Sequence, residues 1–190
     1  MNKDDIYVEL GEVCVFINGD RGKNYPSGKD FITEGVPFIN AGHIQNNNID
    51  FKNMNYISRE KFEILGSGKV KKDDILYCLR GSLGKNSIVN ISEGAIASSL
   101  VILRPKENII NTNYLIHCIN SKEMNEQIYR ANNGSSQPNL SAASVKKFNV
   151  YLPSYIKQVK IANVLDKAQN LIDKRKEQIR ALDELVKSQF

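Results

Sequence analysis

The sequence predicts an α+β fold: a β-rich module with a few short helices, followed by one long C-terminal coiled-coil helix. Three observations predict it. Up to Arg104-Pro105 the apolar residues come in short runs separated by glycine, proline and asparagine turns, the pattern of strands. Between Asn113 and Ala131 the apolar spacing switches to that of a helix. From Tyr155 to Phe190 there is neither glycine nor proline, and apolar residues recur every seven positions.

The run LGEVCVFING from Leu10 predicts a strand closed by Gly19 and feeding a basic loop, DRGKNYPSGKDF. Gly35 to Asn40 predicts a second strand, and the asparagine-rich QNNNID after it a polar loop. Residues 57–65 read as a short helix capped by Ser58. A turn at Asp73-Asp74 leads into an apolar strand, Ile75 to Leu79. The loop Arg80 to Asn86 and a strand from Ser87 complete a hairpin with a basic, glycine-rich tip. Residues 95–103, AIASSLVIL, predict one strand through the core. One or two helices follow in 113–131, then the polar loop ANNGSSQPNLS, a short helix capped by Ser141, and a last strand from Asn149 to Leu152. Pro153 marks the exit into the long helix.

In that helix Leu165, Ile172, Ile179 and Val186 form one row, and Ile161, Ala168, Arg175, Leu182 and Gln189 a second, offset by three or four. At 1.5 Å per residue it reaches roughly 50 Å, longer than the preceding 154 residues need for their own core. It is therefore expected to project and to find a partner helix. Arg175, near the middle of the seam, is expected either to face Glu177 or Asp173 of that partner or to snorkel at the seam edge. The division expected is 1–154 as one domain and 155–190 as an arm.

A formal charge of +5 permits nucleic-acid binding without demanding it. Eight of the Lys/Arg and five of the Asp/Glu lie in the long helix, so the remainder is close to neutral. Cys14, Cys78 and Cys118 are scattered and odd in number, which excludes a disulfide framework and a CxxC metal site. No metal or cofactor is expected. MNKDDIYVEL lacks an apolar signal core and no run reaches the length of a membrane span, so a cytoplasmic protein without membrane attachment is expected.

Catalytic patterns are missing. Gly66 to Lys69 and Gly81 to Lys85 lack the phosphate-loop frame, and no Pro-Pro pair exists for an adenine-methylating motif. His117 reads as a packed histidine, while His43 reads equally as a ligand contact or a structural residue. Asp4-Asp5 and Asp73-Asp74 read as solvated terminal and turn residues. What remains is three polar loops of one chemical character. The first offers Arg21, Lys23, Asn24, Tyr25 and Lys29. The second offers Arg80, Ser82, Lys85 and Asn86, and the third Ser135, Gln137 and Asn139. Arg and Lys read guanine, Asn and Gln read adenine, and hydroxyls settle on phosphates, so such loops suit a DNA groove. Polar loops also simply connect strands.

Several stretches carry a family pattern. They are Leu10-Gly11-Glu12-Val13, Gly35-Val36-Pro37-Phe38-Ile39, and Asp74-Ile75-Leu76 leading to Arg80-Gly81-Ser82-Leu83-Gly84. After them come Ser136-Gln137-Pro138-Asn139-Leu140-Ser141, then Val150-Tyr151-Leu152-Pro153, and Gln158 and Ile161 opening the helix. Together they resemble the DNA specificity (S) subunit of type I restriction-modification systems, over practically the whole chain. The usual start of the helix is kept in Pro153 and Gln158, with altered residues between them.

The resemblance implies a β-rich target recognition domain that reads half of a split site in double-stranded DNA. It implies a helix that pairs antiparallel with that of a second module and acts as a ruler between half-sites. The partners implied are modification (M) methyltransferase subunits, which methylate adenine with S-adenosylmethionine, and restriction (R) subunits joined to that core. Chemistry is left to these partners. Whole S subunits hold two such domains and two helices; this chain holds one of each and reads as half a subunit, a natural short form or an excised piece. Its expected helix partner is a second copy or another half-subunit, through Ile161, Leu165, Ala168, Ile172, Arg175, Ile179, Leu182 and Val186. The alternative is a protein-interaction module that binds S or M subunits through its helix and reads no DNA.

Overall fold

A computed structural model describes residues 6–132 and 138–188. Twelve strands and six α-helices follow one another in the described residues. The centre is a four-stranded antiparallel sheet in the order β2 (Cys14–Asn18), β11 (Leu100–Pro105), β8 (Ile75–Cys78), β9 (Asn86–Ile88). Both of its faces are covered. On β8, Ile75 and Tyr77 point into one cluster with Leu115, Met124 and Val145; Leu76 and Cys78 point into the other with Ile39, Ile44 and Val89. Val101 and Leu103 of β11 face the first cluster, Leu100 and Ile102 the second. This two-sided burial explains why these strands read as continuous apolar runs rather than alternating ones. Each such side chain, fully buried, stabilises by about 1.5–3 kcal/mol.

The helical side is built by α3 (Thr112–Ile119), α4 (Lys122–Ala131) and α5 (Ala142–Lys146), capped by Asn111, Ser121 and Ser141 respectively. Opposite lies a second sheet in the order β10 (Ala95–Ile96), β4 (Val36–Ile39), β7 (Asn55–Ile57), β3 (Phe31–Ile32). The helix α2 (Arg59–Glu63) packs Phe62 into the cluster of Val36, Phe38 and Ile57, and Ser58 caps it by accepting from the Lys61 N–H at 3.1 Å.

Four expectations are corrected. Leu10–Val13 is not strand but one helical turn, α1, with Glu9 and Glu12 forming a reciprocal cap; the strand β2 begins only at Cys14. Residues 95–103 do not form one strand: β10 pairs parallel with β4, and the chain turns at 97–99 before joining the central sheet as β11. The stretch QNNNID is not a plain loop but a tight hairpin, β5 (Ile44–Gln45) and β6 (Asn48–Ile49), with Asn46 and Asn47 both at positive φ. Asparagine tolerates that conformation, which a two-residue hairpin turn requires. Asp74, lastly, is not solvated. It is 1% exposed, receives Arg104 through two hydrogen bonds of 2.7 and 2.8 Å, and accepts from the Lys71 N–H at 2.7 Å.

The strand β1 (Tyr7–Glu9) pairs antiparallel with β12 (Asn149–Tyr151), which delivers the chain to α6 (Tyr155–Ser188). Gln158 locks that junction. Fully buried, it accepts from the Asn111 N–H at 2.8 Å and donates to the carbonyls of Ile109 and Pro153 at 3.0 and 2.9 Å. Ala162 packs into the core one turn on, and His117 Nε2 meets Asp166 Oδ1 at 2.7 Å. From Lys167 to Ser188 every residue is exposed. Replacing Gln158 by leucine strands one N–H and two carbonyls in a buried site; at about 1–3 kcal/mol for each unsatisfied group, unfolding in urea should show a loss of at least about 2 kcal/mol.

Candidate nucleic-acid interface

The basic loop after β2 is shaped by Asp20 and by a backbone crossing. Asp20 accepts from the Gly22 N–H at 2.7 Å and from the Gly66 N–H at 2.8 Å, bonds that hold its carboxyl below the usual carboxylate range. Gly68, at φ +82°, passes so close to Gly19 that a Cβ on it would lie 2.8 Å from the Gly19 Cα. Ser67 Oγ donates to the Asn18 carbonyl at 2.7 Å. The Gly66 to Lys69 segment is thus a buttress for the loop that carries Arg21.

The second and third loops are zipped together. Arg80 and Asn139 form an antiparallel bridge, flanked by Leu140 N–H to the Leu79 carbonyl at 2.8 Å and Gly81 N–H to the Pro138 carbonyl at 3.3 Å. Gly84, at φ +77°, packs where a Cβ would strike Ile128 Cδ1 at 2.6 Å, so α4 and the Arg80 loop are held as a unit. Asn132, at the end of α4, accepts from the Asn139 N–H at 3.3 Å.

These ties produce a groove of about 230 Å³ lined by Asn18, Arg21, Arg80, Asn139 and Ser141, among others. It collects residues 120 positions apart in sequence. Arg21, Arg80 and Asn139 are all exposed there, one from each of the three predicted loops. Lys23, Lys29 and Ser82 are exposed outside the groove lining, and Lys85 is half-buried. Asn24 and Tyr25 have structural partners instead: Asn24 Nδ2 donates to the Ile64 carbonyl at 2.9 Å, and Tyr25 sets its ring edge-on to Phe38 with centroids 5.7 Å apart. Asn86 is buried, exchanging side-chain bonds with Asn120 at 2.9 and 3.2 Å. Ser135 and Gln137 lie outside the described residues.

Sequence reasoning missed Asn18 and Ser141, which line the groove. A strand end and a helix cap carry no signal in sequence that sets them apart from ordinary structural residues. A larger cleft, about 580 Å³, lies beside the start of α6 and is lined by Lys71, Lys72, Asp73 and Glu107 among others. Its mixed charge suits a phosphate backbone less well.

The histidines have structural partners. His43 is buried, with Nδ1 accepting from the Asn40 N–H at 3.1 Å and Nε2 3.0 Å from the Asn53 carbonyl. His117 ties α3 to α6. Burial pushes the Cys14 and Cys78 thiols up to about 12, which leaves them unreactive. Among the described residues no group of three His, Cys, Asp or Glu could hold a metal ion, and no helix is long and apolar enough to cross a membrane.

Comparison with known proteins agrees with the fold and the family pattern. The chain is 26% identical over 159 residues to the type I restriction enzyme StySPI specificity subunit of Salmonella potsdam, covering 80% of this chain and 33% of that protein. It is 30% identical over 142 residues to the MjaIX specificity subunit of Methanocaldococcus jannaschii, covering 71% and 32%. The crystal structure of the HsdS subunit from Thermoanaerobacter tengcongensis superposes with a TM-score of 0.71 at 19% identity, over 92% of this chain and 39% of that one. The chain therefore spans about a third of the length of the curated relatives it matches. A family profile, type I restriction modification DNA specificity domain, matches residues 2–182, and the chain belongs to that family.

Proposed function

We propose that this chain reads one half of a split site in duplex DNA and is itself non-catalytic. Residues 1–154 act as the target recognition domain, and the helix from Tyr155 sets half-site spacing and presents a surface to M subunits. Methylation of adenine belongs to those M subunits, and cleavage to R subunits joined to the same core. The observation that carries the reading is the convergence of Arg21, Arg80 and Asn139 on one groove. A guanidinium pair with an amide is the donor and acceptor set that distinguishes guanine and adenine edges.

The helix supports the second half of the proposal. From Lys167 to Ser188 every residue of α6 is exposed, Leu171, Ile172, Ile179, Leu182 and Leu185 among them. A face of that size is covered in a working assembly.

The test is duplex binding by the purified chain with and without M subunits, across a salt series. Binding is expected to be weak alone, to weaken with salt, and to gain sequence preference when M subunits are present. No preference in either condition sinks the proposal. Lys29→Ala serves as an internal comparison: this exposed lysine outside the groove should lower affinity for all sequences alike and reduce the salt slope by about one.

A further inference from the structure

The apolar face of α6 is wider than a two-row seam. Val164, Leu171 and Leu185 form a third row, with Leu171 64% exposed. With Ile161 taken as heptad position a, the a row is Ile161, Ala168, Arg175 and Leu182. The d row is Val164, Leu171, Gln178 and Leu185, and the e row is Leu165, Ile172, Ile179 and Val186. Between Ile161 and Leu185 polar residues interrupt the a and d rows at one level only. There Arg175 Nη1 donates to Gln178 Oε1 at 2.9 Å. Glu177 and Asp173 lie on the opposite face of the helix, two residues to either side of Arg175, so neither reaches a partner across this face.

We propose that Arg175 and Gln178 are a register key for a second copy of this helix, docked antiparallel. The inference rests on the helix-pairing reading given above and adds its register and its residues. In antiparallel pairs an a residue opposes a d residue of the other helix. Setting Arg175 against Gln178 of the second copy places Gln178 against Arg175 by symmetry. The same register then places Leu171 against Leu182 and Ala168 against Leu185, while the e rows bring Ile172 near Ile179 and Leu165 near Val186. Between Ala168 and Leu185 each polar residue of the a and d rows meets a polar one and each apolar residue an apolar one.

The competing arrangements do not match. Slipping by one heptad toward the N-terminus sets Arg175 against Leu171 and Gln178 against Ala168. Slipping the other way sets them against Leu185 and Leu182. Parallel pairing stacks Arg175 on Arg175, two like charges desolvated at one level. A buried arginine without a polar partner is strongly disfavoured, so the key selects this arrangement against a heptad slip that would add Ile161 and Val164 to the apolar overlap. In that arrangement the two Tyr155 ends stand roughly 65 Å apart along the helices, and a one-heptad slip changes this by about 10 Å. That is close to three base-pair steps, so the register sets the spacing of whatever the two domains hold.

Cysteine pairing tests this on the full chain. Protein carrying Ala168→Cys is mixed with protein carrying Leu185→Cys, and separately Ile161→Cys with Leu185→Cys; disulfide yield and oligomeric state are measured for each. The proposal expects a dimer in which the 168–185 pair cross-links and the 161–185 pair does not. It also expects that adding Arg175→Leu and Gln178→Leu together keeps the dimer but lowers that selectivity by roughly tenfold or more, because every register then becomes apolar. A dimer that cross-links at 161–185, or one whose 168–185 selectivity survives the double change, overturns the key while leaving the pairing reading intact. A chain that stays monomeric at all concentrations overturns the second copy as the occupant. DNA recognition is measured separately and is untouched by either outcome.

Discussion

Replacing Asp74 with alanine is expected to destabilise the protein by about 3–5 kcal/mol, the cost of leaving one member of a buried ion pair without the other. Asp74 sits beneath the turn that starts β8, and its carboxylate takes both the Nε and Nη2 of Arg104 while also accepting from the Lys71 N–H. Removing it unpairs a guanidinium that is only about one quarter exposed, 27% at the side chain, and frees the turn that sets the register of the β8–β9 hairpin. Since the tip of that hairpin carries Arg80, the damage should reach the groove as well. Urea unfolding should show a lower midpoint with an unchanged slope. A useful comparison is Asp74→Leu with Arg104→Met. Removing both charges together should recover most of the loss, because an apolar pair of similar volume avoids the desolvation penalty.

The largest functional effect is expected from Arg80→Ala. Arg80 is exposed at the groove while its backbone is pinned to Asn139, so the change removes a guanidinium without disturbing the strand that carries it. Loss of one bidentate arginine contact to a base costs about 1–3 kcal/mol, a preference change of roughly fivefold to more than a hundredfold at one base position. Competition binding at fixed salt with M subunits present should show that relaxation at a single position, with thermal stability unchanged. A uniform loss across all sequences would instead place Arg80 on the phosphate backbone.

Much of this was legible in the sequence because the signals were local. Ser58 and Ser141 cap helices where their spacing predicts, the 75–88 hairpin forms as its turn residues require, and a stretch without glycine or proline makes the helix from Tyr155. The parts not legible depend on partners distant in sequence. Asp74 reads as a turn residue until Arg104, thirty positions later, covers it. Residues 95–103 read as one strand because both pieces are fully buried, and only the partner strands β4 and β8 reveal the break. Asn24 and Tyr25 have the composition of a binding loop, yet their side chains hold it to Ile64 and Phe38. Gln158 was visible as part of a family pattern, but its three bonds to the Asn111, Ile109 and Pro153 backbone were not.

The same contrast applies to the groove. Three loops of similar chemistry could be picked out one by one, but their meeting depends on two backbone ties, Gly68 against Gly19 and Arg80 against Asn139. Residue types alone did not separate Arg21, which reaches the groove, from Lys29, which lies outside its lining.

The most direct measurement is sequencing of DNA methylated by a complex reconstituted from this chain and the M subunits proposed as its partners, for the native chain and for Arg21→Ala and Arg80→Ala. The account predicts adenine methylation at a split motif, with each substitution relaxing the motif at one position of a half-site. Methylation without sequence preference, or a motif that neither substitution changes, would contradict it.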